Sequence, residues 1–319
     1  TIYWRMVEGR FCKFGNDYAR GLEILRHLGF SQVSTNPVLA AKAFDEDPEL
    51  VEKLQEEIRS QTSWTQNPHE HGHEMVMAGT LLALWPNLEV FRPLAFLAGN
   101  RDYMISFQLN PNVADDAKAS LDDAKRAYKL AQRHLATYDK YLGLPNPGKL
   151  RPNLVFKVAG SSEAARQVTR ELNAMGIGTN NTVTFTVTQE VQLIADALEG
   201  KCKAIKSGRP VTRTYETNMG GRFVSHLREL EASRIFGEIA QRIGEDAALA
   251  LVMRLAKSLA IAEQDIGRLQ KASGFVEKAG IVCSFKYLKS LANDAFLDVA
   301  AEGGLSRREV EQLEADLKR

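Results

Sequence analysis

Cysteine is scarce, neither sign of charge prevails, and no apolar run is long; each shortage removes a class of protein. Three cysteines in 319 residues, Cys12, Cys202 and Cys283, are too few and too widely spaced for a disulfide framework or a metal-ligand cluster. Their odd number fits reduced thiols. With 41 Lys and Arg against 40 Asp and Glu, the formal net charge is +1. No global field draws nucleic acid or an anionic membrane, so any anionic ligand must be met by local cations. The most apolar stretch, residues 75–84, is about half the length a bilayer requires, and Trp85-Pro86-Asn87 is expected to end it. Residues 1–8 lack the basic start and apolar run of a secretory signal, and the expectation is a cytoplasmic protein with no membrane or nucleic-acid partner. Without a repeat, a low-complexity tract or a Pro/Gly/Ser linker, the simplest division is one domain over 1–319.

What is present is an alternation of short β-like runs with longer helical ones, the pattern of a parallel sheet with crossover helices. The strands are expected at 10–15, 32–35, 104–109, 154–158, 182–186, 213–217, 281–285 and 296–299. Helices are expected at 18–28, 48–61, 73–84, 114–141, 162–175, 188–198, 223–243 and 247–270. Inside the strands the parity is informative. Ile105, Phe107 and Leu109 share one face while Ser106, Gln108 and Asn110 share the other; Lys157 projects with Val155, opposite Leu154, Phe156 and Val158. An open doubly wound sheet needs both faces apolar, because helices cover both. A closed barrel with helices outside and a polar layer near its C-terminal strand ends accounts better for one greasy and one polar face, so a single (β/α)8 TIM barrel with additional helices is expected.

Lys157 stands in Leu154-Val155-Phe156-Lys157-Val158. Desolvation in such a run disfavours the ammonium and supplies a neutral amine able to attack a ketone and form a Schiff base. A buried ion pair, or an edge-strand lysine reaching solvent, is the competing explanation.

Ser34-Thr35-Asn36-Pro37-Val38-Leu39, Phe156-Lys157-Val158-Ala159 and the run from Gly176 to Thr186 followed by Gln189 resemble, in order and spacing, three signature segments of the transaldolases. The resemblance implies a class I Schiff-base mechanism on a (β/α)8 barrel with no cofactor and no metal, acting on phosphorylated ketoses in the pentose phosphate pathway. It casts Lys157 as the Schiff-base lysine. It casts Asp17 as the acid/base for the sugar C4 hydroxyl, and Thr182 as the residue holding the catalytic water. Asn36 and Asn180 would bind substrate hydroxyls, Thr217 and Arg222, the latter after Gly220-Gly221, would belong to the segment that binds substrate and phosphate, and Lys286 would be a second phosphate cation. The bland alternatives are turn chemistry for the asparagines, a helix N-cap at Tyr18 for Asp17, and solvated surface charge for the two cations.

Two departures bear on the outcome. Asp17 sits in Phe14-Gly15-Asn16-Asp17 rather than the family's Asp-Thr-Gly-Asp-like context. Gln108 stands where transaldolases carry a glutamate; an amide positions water but cannot titrate. Glutamine is what the fructose 6-phosphate aldolase branch has, which releases free dihydroxyacetone, yet that branch's tyrosine is Met219 here. The expected activity is transaldolase; the alternatives are an aldolase of that branch or a catalytically silent sugar-phosphate-binding relative. Two further features carry weaker readings. His69-Glu70-His71-Gly72-His73-Glu74 reads as a solvated loop or helix start, and 200–209 as a cationic loop. The apolar stripe within 247–270 suits core or a subunit interface, which leaves a homo-oligomer open.

Overall fold

The polar/apolar alternation becomes six strands in the computed structural model, which describes residues 1–318. These are β1 (Phe14–Asn16), β2 (Phe30–Ser34), β3 (Met104–Gln108), β4 (Leu154–Ala159), β5 (Thr179–Thr184) and β6 (Tyr215–Asn218), paired in chain order and all parallel. Helix α1 (Ile2–Glu8) precedes the sheet and α2 (Leu22–Leu25) joins β1 to β2. Four helices, α3 (Pro37–Glu46), α4 (Pro48–Ser60), α5 (Thr62–Gln66) and α6 (Gly72–Leu97), lie between β2 and β3. The crossovers α7 (Ala117–Tyr141), α8 (Glu163–Ala174) and α9 (Val187–Lys206) follow β3, β4 and β5.

The chain forms two compact units, and the first, Thr1–Asn218, holds the whole sheet. The second, from Met219 onward, is helical. It comprises α10 (Gly220–Ile243), α11 (Glu245–Ser258), α12 (Glu263–Lys271), α13 (Phe275–Val282), α14 (Asp294–Glu302) and α15 (Arg307–Leu317). Each unit has its own apolar core, built around Leu84, Phe91, Ile105 and Phe156 in the first and Phe236, Leu255, Val282 and Phe296 in the second.

Residues paired across a parallel ladder project to the same side. The register Ser34↔Ser106, Gln108↔Lys157, Lys157↔Asn180 and Ala159↔Thr182 therefore gathers the polar residues into one row. Ile105, Phe107, Phe156 and Val158 occupy the opposite face and are buried in the first core. Lys13, Phe14 and Gly15 line a cavity of about 320 Å³ together with Arg213, Thr214, Tyr215 and Glu216. The sheet is thus curled until its first and last strands border one space, and the polar row faces inward.

A complete eight-stranded barrel is not what forms among the described residues. The strand expected at 281–285 is the end of α13 and the turn after it, and the one expected at 296–299 is the middle of α14. Phe296, Leu297, Val299 and Ala300 are all buried, a spacing of one, three and four that suits a helix, and Asn293 caps it by accepting from the N–H groups of Ala295 and Phe296. Likewise Ala279 and Val282 bury one helical face, and Cys283 N–H donates back to Ala279.

Three other expectations change. Helix α6 does not stop at Trp85-Pro86-Asn87 but runs through Pro86 and Pro93 to Leu97. An interior proline costs about 3 kcal/mol, whereas Leu84, Leu88 and Phe91, all fully buried, contribute about 1.5–3 kcal/mol each. The stretch 200–209 is not a loop throughout: Gly200 to Lys206 form the last turns of α9, and Gly200 is there for close packing, since a Cβ would lie 2.3 Å from the Arg170 carbonyl. The helix expected over 247–270 is two, α11 and α12, broken where Ala260 takes a φ of 48°.

Candidate active site

Lys157 lies mid-strand in β4 and is 8% exposed. Its Nζ donates to Ser34 Oγ at 3.1 Å and stands 3.9 Å from Asp17 Oδ1. The alternation that turns Phe156 and Val158 to the helices turns this ammonium inward, where β2 and the end of β1 meet it. Asp17 is not a helix cap. Asn16 spends its Nδ2 on the Tyr18 and Arg20 carbonyls, delaying the next helix to Leu22 with Gly21 as its cap, so the Asp17 carboxylate is not taken up by a helix end and faces Lys157. Its side chain is 72% exposed, so the pair contributes little to stability, but it gives Lys157 a neighbouring proton acceptor.

Asn180 is buried with both ends of its amide held: Nδ2 donates to Ser106 Oγ at 3.0 Å, and Oδ1 accepts from Thr217 Oγ1 at 2.7 Å. One donor and one lone pair remain for a ligand. Thr182, also buried, stands one inward position beyond Asn180. Asn36 caps α3, accepting from Leu39 N–H at 2.9 Å, so its turn chemistry is real and the Nδ2 protons are what it has left to donate. Gln108 ends β3 beside Lys157 and lines a cavity of about 300 Å³ with Pro37, His73, Phe107, Asn110 and Asp123. His73 is drawn into that wall, bonded through Nε2 to Asp123 at 2.7 Å and through Nδ1 to Asn110 at 2.7 Å.

The structure brings together Lys157, Asp17, Asn180, Thr182, Thr217 and Gln108 in the first unit. Arg222 and Lys286 belong to the second. Arg222 is exposed in the first turn of α10. Lys286 is not at a strand end; it follows α13 and pairs with Asp265 at 2.6 Å. Lys286, Tyr287 and Arg268 hold the Asp265 carboxyl well below the usual carboxylate range. That neutralisation leaves Lys286 poorly suited to an anion. Sequence reasoning missed Ser34 and Ser106, the hydroxyl partners of Lys157 and Asn180, although both stand on the polar side of their strands.

The strand end beyond Thr182 is irregular. Thr182 and Val183 together oppose Thr217, a β-bulge, and Val183 adopts φ 59°. A β-branched residue in the left-handed region costs about 1–3 kcal/mol, and such strain clusters at working sites.

The family description transaldolase/fructose-6-phosphate aldolase matches residues 16–260. The chain belongs to this family. A search of the curated proteins gives no match. The transaldolase/fructose-6-phosphate aldolase match takes in Asp17, Lys157, Thr182 and Arg222 and ends before Lys286. Among the described residues no helix is long and apolar enough to cross a membrane.

On the outer face of β6, Glu216 accepts from Asn181 Nδ2 at 2.8 Å, and its Oε2 is buried without a hydrogen bond. Burial pushes its pKa from 4.5 up to about 7. Because the folded chain holds this proton more tightly than the unfolded chain, the contribution to stability is complete below the unfolded pKa of 4.5 and is lost as pH rises through about 7. Glu216→Gln is therefore expected to match the parent near pH 5 and to melt about 2–4 °C higher near pH 8.5, read as thermal midpoint against pH.

Proposed function

We propose that the first unit carries out Schiff-base carbon–carbon bond cleavage and transfer on a ketose phosphate, the transaldolase reaction. What supports this reading is Lys157, buried on an inward polar row with a hydroxyl at 3.1 Å and an exposed carboxylate at 3.9 Å. Lys157, deprotonated through Asp17 or solvent, adds to the C2 carbonyl, and water leaves to give an iminium ion. Asp17 takes the proton of the C4 hydroxyl, the C3–C4 electron pair moves toward the iminium nitrogen, and an aldose phosphate departs. The three-carbon enamine left on Lys157 then adds to an acceptor aldehyde as Asp17 returns the proton, and hydrolysis frees the new ketose. Asn180 and Asn36 donate to hydroxyls of the bound chain, and Thr182 holds the water of the proton and hydrolysis steps.

Gln108 favours a second reading. An amide beside the Schiff base cannot relay protons by titrating, and an enamine that is protonated and hydrolysed instead of transferred gives free dihydroxyacetone, the aldolase outcome. Fructose 6-phosphate and borohydride, followed by peptide mass measurement, should reveal a reduced three-carbon adduct on Lys157; an unmodified Lys157 would reject both readings. With adduct formation established, erythrose 4-phosphate is added and sedoheptulose phosphate is compared with free dihydroxyacetone. Gln108→Glu should move that ratio about tenfold or more toward transfer, and an unmoved ratio removes Gln108 from the partition.

A further inference from the structure

We propose that Gln189 is a positioning residue that clips the ends of β4 and β5 together and holds the strained bulge that aims Thr182; the catalytic consequence rests on the Schiff-base reading above.

Thr186 and Gln189 have the spacing of a helix capping box. Thr186 accepts from Gln189 N–H at 3.2 Å, as an N-cap should. In that motif the side chain three residues on reaches back to the cap's own N–H. Gln189 instead reaches one residue further, and its Oε1 accepts from Phe185 N–H at 3.0 Å. Its Nε2 donates to the Gly160 carbonyl at 2.6 Å and to the Val183 carbonyl at 2.9 Å. Two donors and one acceptor are thus all placed on backbone groups at neighbouring strand ends, a pattern that only a primary amide at this length satisfies. A carboxylate at the same place would face two carbonyl oxygens with no proton to offer.

Each anchor point touches the proposed chemistry. Gly160 lies three residues after Lys157, and its N–H donates to the Thr182 carbonyl at 2.7 Å. Its missing side chain permits that approach, since a Cβ would stand 2.6 Å from Leu193 Cδ1 and 3.2 Å from the Thr182 carbonyl oxygen. Val183 is the residue whose φ of 59° makes the bulge, and no local side-chain preference of valine favours that backbone. Something must hold it there. The Gln189 amide is bonded on both sides of the strained residue's exit, to its carbonyl and to the N–H two positions on. Released, Val183 relaxes to negative φ, the Thr182–Val183 peptide rotates, and the Thr182 side chain turns with it.

The test is a double-substitution cycle with Gln189→Met, which keeps the length and removes all three hydrogen bonds, and Val183→Gly, which makes positive φ unstrained. With kcat normalised to borohydride-trappable Lys157, Gln189→Met should lower kcat about tenfold or more with KM changed less than about threefold, because misplacement acts on the proton steps and leaves Lys157 able to form the adduct. In the Val183→Gly background the same change should cost less than about threefold in kcat. A Gln189→Met enzyme with parental kcat, or an equal loss in both backgrounds, overturns the proposal. Hydrogen exchange of residues 182–186 gives a reading that needs no activity: it should quicken in Gln189→Met, and unchanged exchange also overturns the clip. A parent protein that forms no adduct but shows faster exchange in the variant would reject the reaction and leave the clip standing.

Discussion

Lys157→Met is expected to give no borohydride adduct with fructose 6-phosphate and to lower turnover on the order of 10⁴-fold or more, the scale on which enzymes lose activity with their covalent nucleophile. The same substitution should leave the thermal midpoint unchanged or raise it. Lys157 is 8% exposed, so its desolvation is a cost that a methionine does not carry, and the pair with Asp17, whose side chain is 72% exposed at 3.9 Å, contributes little against it. Loss of activity joined to retained or higher stability is the signature of a group kept for chemistry rather than for folding. If Lys157 were a structural ion-pair partner, the melting curve would fall and the adduct would be absent in the parent as well. Lys157→Arg should not restore turnover, because a guanidinium stays protonated and has no lone pair to form an iminium bond.

The inward polar row could be read from the sequence because it rests on a two-residue period that the pleat imposes on any strand. Ser106 and Gln108 against Ile105 and Phe107, and Lys157 against Phe156 and Val158, stand as their parity requires. The last two strands failed for a matching reason. In a five-residue apolar stretch, periods of 2 and 3.6 are hard to tell apart, and the Asn293 cap with Phe296, Leu297, Val299 and Ala300 decided for helix only over a longer window. Gly200 read as a loop residue because a glycine that ends a helix and one that lets two helices approach have the same letter. The site's finer geometry was hidden for a deeper reason. That Asn16 rather than Asp17 makes the turn after β1, that Ser34 meets Lys157, and that Val183 takes a positive φ all depend on partners from elsewhere in the chain.

Asp139→Ala is expected to destabilise the first unit by about 3–5 kcal/mol, among the largest effects a single substitution can have. Arg92 on α6 and Asp139 on α7 are each 1% exposed. The guanidinium donates Nε to Oδ1 at 2.6 Å and Nη2 to Oδ2 at 2.7 Å, while Nη1 donates to the Arg151 carbonyl at 2.7 Å, just ahead of β4. Every strong bond here is bidentate or to backbone, and at 1% exposure both side chains are shielded from bulk solvent. Removing the carboxylate strands a buried cation, so the cost is the desolvation of an unpaired charge rather than the worth of the pair. It follows that Arg92→Met combined with Asp139→Leu should recover much of what Asp139→Ala loses, since neither charge then remains to be desolvated. Urea midpoints of the parent and the two variants would show it, and a double variant as unstable as Asp139→Ala would mean that the bond from Arg92 to the Arg151 carbonyl, which only the double variant loses, is what stabilises this corner. On the present geometry the carbonyl contact is one neutral acceptor against two charged ones, so the ion pair should decide the outcome. Because α6, α7 and the lead into β4 meet at Arg92, its loss should also loosen the strand that carries Lys157, and the fraction of trappable Lys157 should fall with the urea midpoint rather than independently of it.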